Sequence, residues 1–162
     1  MADLQAQVAA VRIGENALRQ MANEHGPASV QSALQFVYDR AAAATKRWLR
    51  DWDDRELRMV QSLDNGAELV VRIRVAGCRM VVDFTGTSPV TEGNLHAAPA
   101  IVRSALVYVL RLLVGDSMPL NEGLLELVEI DLPECLLSPN FGEGPAIAPA
   151  VFGGNVEVSQ RL

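Results

Sequence analysis

Asp83-Phe84-Thr85-Gly86-Thr87-Ser88-Pro89 is the stretch of this chain whose residue types offer the most chemistry. A carboxylate is followed by three hydroxyls set around a glycine. Hydroxyls and backbone N–H groups freed at a strand end can hold a carbonyl, carboxylate or phosphate oxygen. Asp83 can accept hydrogen bonds or exchange a proton with a reacting group. The same residue types also build turns whose Asp and Thr side chains bond their own backbone, and composition alone favours that use.

Other polar positions carry the same double reading. Asn94 follows Gly93, and its amide could orient a substrate amide or cap a helix. Asn121-Glu122-Gly123 could bind a ligand or simply turn the chain. Asn155, Glu157, Ser159, Gln160 and Arg161 crowd a helix start. Helix starts attract anions, but Asn caps and Glu in the first turn are also ordinary there. His96 is the histidine beside these loops, and a partly exposed loop histidine is the expectation, ahead of a general base. Trp48 and Trp52 are expected to pack, and Arg72, Arg74 and Arg79 to form a solvated or interface face. The chain has no GxxxxGK[ST], GxGxxG, HExxH or CxxC motif, so no metal is assigned to it.

Three kinds of element must position these groups. Leu4, Val8, Val11, Leu18 and Met21 follow a helical spacing that ends at His25-Gly26-Pro27. Asp3 stands as an N-cap so near Met1 that the helix looks cut. A second helix runs from Pro27 to Trp52, with small residues Ala41 to Ala44 open to close approach, and the short link makes the two an antiparallel pair over 1–53. The period then drops to two. Runs at 56–62, 68–75 and 78–85 are joined by Asp64-Asn65-Gly66 and Ala76-Gly77, giving an antiparallel meander of three strands, or four with Leu125 to Leu132. Ala97 to Val114 is apolar nearly all round, so it is expected to be buried on most sides. These pieces form an α+β core over 55–132, and the Pro- and Gly-rich tail over 133–162 is expected to lie along another surface.

Composition narrows the function further. The chain has 162 residues, enough for one domain with a real core. Apolar residues make up 49% and charged residues 21%, which excludes a disordered chain. A mean hydropathy of +0.14 is high for a self-sufficient monomer and predicts apolar surface meant for cover. The net charge of −6 argues against nucleic-acid partners, which need cations to displace phosphate counterions. The greasiest run, Ile101 to Val114, is too short to span a bilayer and carries two arginines. Two unpaired-looking cysteines, Cys78 and Cys135, and no basic, apolar leader point to the cytoplasm.

Taken in order, these motifs resemble the hydantoinase B/oxoprolinase family. The matching pieces are Asp3 to Gln7, Asp83 to Pro89, Gly93-Asn94, Ala98-Pro99, Pro119 to Gly123, and Gly154 to Arg161. Asp51 to Leu63 and Leu95-His96-Ala97 depart from the family's usual sequence. The resemblance implies an internal fragment of a much longer subunit, inactive alone. It implies an assembly that opens a five-membered cyclic amide of the 5-oxoproline or hydantoin type at the expense of ATP; related members carboxylate ketones. ATP and Mg would belong to a hydantoinase A-type partner, and any divalent metal to a region outside this segment. The implied partners are the remainder of the hydantoinase B-type subunit, that ATP-binding subunit and a second copy in a homo-oligomer. Within the chain, the resemblance places Asp83 as catalytic and Thr85, Thr87, Asn94, Asn121, Asn155, Glu157 and Arg161 as substrate-binding. The competing expectation is a non-catalytic docking scaffold.

Overall fold

The computed structural model describes residues 2–91, 95–115, 117, 119–140 and 156–162. Two long helices, α1 (Ala2–His25) and α2 (Pro27–Asp51), meet at Gly26. Its φ of +83° suits a residue without Cβ. The Gly26 N–H closes α1 on the Ala22 carbonyl at 2.9 Å, and Pro27 opens α2 where no amide donor is needed. Asp3 sits in the first turn of α1 instead of capping it. α1 buries none of its residues, and α2 buries only Ala41, Ala44, Thr45 and Leu49. The small residues of α2 do admit a close neighbour, but it is the single 3₁₀ turn Glu122–Leu125. Thr45 donates to the Leu124 carbonyl at 3.3 Å, and a Cβ on Gly123 would stand 2.2 Å from the Tyr38 carbonyl oxygen.

Four strands form one sheet in the order β1 (Arg55–Ser62), β2 (Glu68–Ala76), β3 (Arg79–Asp83), β4 (Val128–Asp131). The first three pair antiparallel as their period-two pattern requires, with Leu57 opposite Ile73 and Ile73 opposite Val82. β4 pairs parallel to β3, Met80 facing Val128, so the sheet is mixed and not a four-stranded meander. The reason is the long connection through α3 (Pro99–Val114), which returns the chain to the start of β3. The β2–β3 turn holds both Gly77 (φ +59°) and Cys78 (φ +61°) in the left-handed region, as a two-residue hairpin of matching twist demands. Cys78 therefore belongs to the turn, not to the strand.

The core lies between one sheet face and the helices. Leu69, Val75, Met80, Val82 and Phe84 of the sheet share one buried cluster with Val102, Val107 and Leu110 of α3 and with Leu124, Leu136 and Leu137. Each fully buried Leu or Val contributes about 1.5–3 kcal/mol over leaving it in water. α3 is not buried on most sides as its composition suggests. Its buried stripe packs toward α2 and the 122–125 turn, while Tyr108 and Leu112 are each 62% exposed, because among the described residues no second layer covers them. The tail also differs from expectation at its end. α4 (Val156–Arg161) returns to this chain's own core, with Val158 fully buried and Leu162 packed beside it.

Candidate functional site at one end of the sheet

The 83–89 loop continues the sheet with side chains standing in for backbone. Asp83 Oδ1 accepts the Thr85 N–H at 2.7 Å, a local turn of the kind its residue type favours. Gly86, at φ +96°, lets the chain double back. Buried Thr87 then takes the place of a strand residue: its Oγ1 accepts from the Val70 N–H and donates to the Val70 carbonyl, both at 3.0 Å. Ser88 repeats the device. Its Oγ accepts from the Glu68 N–H at 2.9 Å, and its own N–H donates to the Glu68 carbonyl at 2.9 Å. Leu136 N–H reaches the Ser88 carbonyl, and Ala97 N–H reaches the Leu136 carbonyl, so the loop is laced to the segments before α3 and after β4. Thr85 is left exposed, and the Asp83 side chain retains 21% exposure.

Asp83 lies across from Arg72 in the register, and their charged ends stand 3.9 Å apart. The Thr85 hydroxyl and amide, with the Arg72 and Arg74 guanidinium groups more weakly, hold the Asp83 carboxyl below the usual carboxylate range against the opposing effect of partial burial. An ionised carboxylate suits accepting a ligand N–H better than donating a proton. Arg72 was visible in the sequence only as one charge on an alternating strand; the register makes it Asp83's partner.

Glu157 and Arg161 arrive at the same sheet end from α4. Glu157 Oε1 accepts the Asp64 N–H at 2.8 Å, and Arg161 pairs with Asp64 at 3.1 Å and with Glu157 at 3.3 Å. Asp64 sits in the β1–β2 turn, whose far side begins β2 at Glu68, the residue that Ser88 holds. A chain of hydrogen bonds thus joins the 83–89 loop, the β1–β2 turn and α4. Asp64, read from the sequence only as a turn residue, is the node that seats α4.

Asn121 is not part of this cluster. It caps the 122–125 turn, accepting the Gly123 N–H at 2.8 Å and donating to the Pro119 carbonyl at 2.9 Å, and it leads toward the start of β4 while Asp83 ends β3. Asn94 and Asn155 lie outside the described residues. His96, expected to be partly exposed, is only 2% exposed. Its Nε2 accepts the Thr91 N–H at 3.2 Å, which places its proton on Nδ1. Trp48 and Trp52 stack at 5.1 Å between centroids, with Arg55 5.0 Å above Trp52, in keeping with a packing role.

The family model for hydantoinase B/oxoprolinase matches residues 1–162. The chain belongs to the hydantoinase B/oxoprolinase family. It is 36% identical over 169 residues to 5-oxoprolinase of Saccharomyces cerevisiae, covering 100% of this chain and 13% of that protein. It is 31% identical over 179 residues to 5-oxoprolinase 1 of Arabidopsis thaliana, covering 100% of this chain and 14% of that protein. The chain thus spans about an eighth of the length of the curated relatives it matches. The crystal structure of ATP-dependent caprolactamase from Pseudomonas jessenii shares the fold, with a TM-score of 0.69 at 23% identity over 87% of this chain and 26% of that one.

In this member of the hydantoinase B/oxoprolinase family, no group of three or more His, Cys, Asp or Glu among the described residues could hold a metal ion, and the Thr87 and Ser88 hydroxyls of the Gly86 loop, which could have met an ATP phosphate, are spent on Val70 and Glu68. No step through either group is assigned to them. No helix among the described residues is long and apolar enough to cross a membrane.

Proposed function

We propose that this chain is one segment of a cytoplasmic, ATP-dependent hydrolase that opens a five-membered cyclic amide of the 5-oxoproline or hydantoin type. Asp83 accepts the ring N–H, and the Thr85 hydroxyl turns from Asp83 to donate to the ring carbonyl when substrate is bound. Thr87, Glu157 and Arg161 keep that sheet end in shape; Asn94 and Asn155, which lie outside the described residues, are further substrate-binding candidates. Asn121 sets the 122–125 turn. The observation that carries this reading is the joining of the Asp83 loop and α4 at one end of the sheet, in a chain of this family. The remaining partners are the rest of a hydantoinase B-type subunit and a hydantoinase A-type subunit that handles ATP and Mg.

A second reading has its own support. Thr87, Asn121, Glu157 and Arg161 all bond within the chain, and α1 and α3 present uncovered apolar faces. That pattern fits a non-catalytic docking module of the same assembly or of a related ketone carboxylase. An assay of ATP-dependent 5-oxoproline or hydantoin opening separates the readings. The 162-residue chain alone is expected to be inactive, and a longer protein containing it active and lowered by Thr85→Val. Turnover untouched by Thr85→Val favours the docking module, and turnover by the isolated chain rejects both readings.

A further inference from the structure

β1 is an edge strand with an open side. It ends the strand order, pairs only with β2 among the described residues, and leaves Leu57 49% and Met59 64% exposed. The outward-facing N–H and C=O groups of this eight-residue edge, open among the described residues and free of a proline or a bulge, are a template for another strand. Its charges are also incomplete. Arg58 stands directly opposite Arg72, a like-charge pair that weakens a sheet. Glu56 answers Arg72 at 3.6 Å, and no acidic partner to Arg58 is found among the described residues.

We infer that β1 pairs antiparallel with β1 of a second copy of this chain, with Leu57 opposite Leu57 of that copy. A two-fold axis normal to the sheet keeps each face on the same side, so odd residues must meet odd residues. Of the registers that obey this, the one centred on Arg58 sets Arg58 against its own mate. The one centred on Met59 leaves Arg58 opposite Val60. Centring on Leu57 sets Glu56 against Arg58 of the other copy twice, supplying the missing carboxylate to each Arg58. The two four-stranded sheets then become one continuous sheet of twice the width, with the Leu57 pair on the apolar face.

The test is sedimentation velocity of the chain over a concentration series, with circular dichroism confirming the fold of each variant. Wild type is expected to show a reversible monomer–dimer equilibrium. Glu56→Arg alone and Arg58→Glu alone each turn two attractive pairs into two repulsive ones, so each is expected to weaken dimerisation by about ten-fold or more. An equimolar mixture of the two single variants recreates every Glu–Arg pair, as does the double variant, and both are expected to dimerise like wild type. A wild type monomeric at all concentrations overturns the inference. So does a dimer indifferent to both single variants, or a mixture that stays monomeric.

Discussion

Thr87 shows how a residue suited to bind a ligand can be consumed by the fold. Its hydroxyl both donates to and accepts from Val70, and both residues are buried. Thr87→Val keeps the shape and strands the Val70 N–H and carbonyl. That costs roughly 1–3 kcal/mol for each of the two buried groups left unpaired, and a denaturant titration should show a loss of about 2–6 kcal/mol. Asp83 makes a pH-dependent claim. Its folded-state pKa is depressed, so the stability it confers is complete above the unfolded carboxylate pKa of about 3.9 and is lost as pH falls below that value. The stability gap between wild type and Asp83→Asn should therefore be flat near neutrality and close on acidification below about pH 4. A gap that widens there would reverse the sign of the argument.

Elements obey their local patterns more faithfully than their surroundings. Both long helices, the meander and its first turn were legible because 3.6- and 2-residue periods, Gly26 and Gly66 act over short range, whereas the second turn falls one residue later than expected, at Gly77-Cys78. The direction of β4 was not, since parallel pairing is decided by how α3 carries the chain back. Nor was the burial of α3, whose side chains are apolar on all faces although only one stripe finds a partner. Close approach to α2 was readable at Ala41–Ala44, but the neighbour that α2 meets, the 122–125 turn, lies far along the chain. Gly123→Ala would push a Cβ against the Tyr38 backbone, which cannot swing aside, and should cost about 3 kcal/mol or more in thermal or chemical unfolding. Cys78 sits at φ +61° where an ordinary side chain is strained. Cys78→Asn, a residue that tolerates this region, should raise stability by about 0.5 kcal/mol.

At the scale of the whole molecule, exposed apolar side chains on α1, α3 and β1 coexist with a contiguous buried core. Monomeric proteins seldom leave contiguous apolar patches open, so these faces match the high mean hydropathy and the expectation of cover. Of the candidate site, the motif at 83–89 and the polar cluster of α4 were legible as residue types. That they share one sheet end was not, because it depends on Asp64 in a turn that the motifs do not include. The most direct measurement is steady-state turnover of a cyclic amide with ATP by a longer hydantoinase B-type protein carrying this segment, compared with its Asp83→Asn variant. A fall in kcat of about 10²-fold or more, with the assembly intact by sedimentation, is the predicted result, the size expected when one orienting or proton-handling group is lost. Unchanged turnover in an intact assembly would contradict the account.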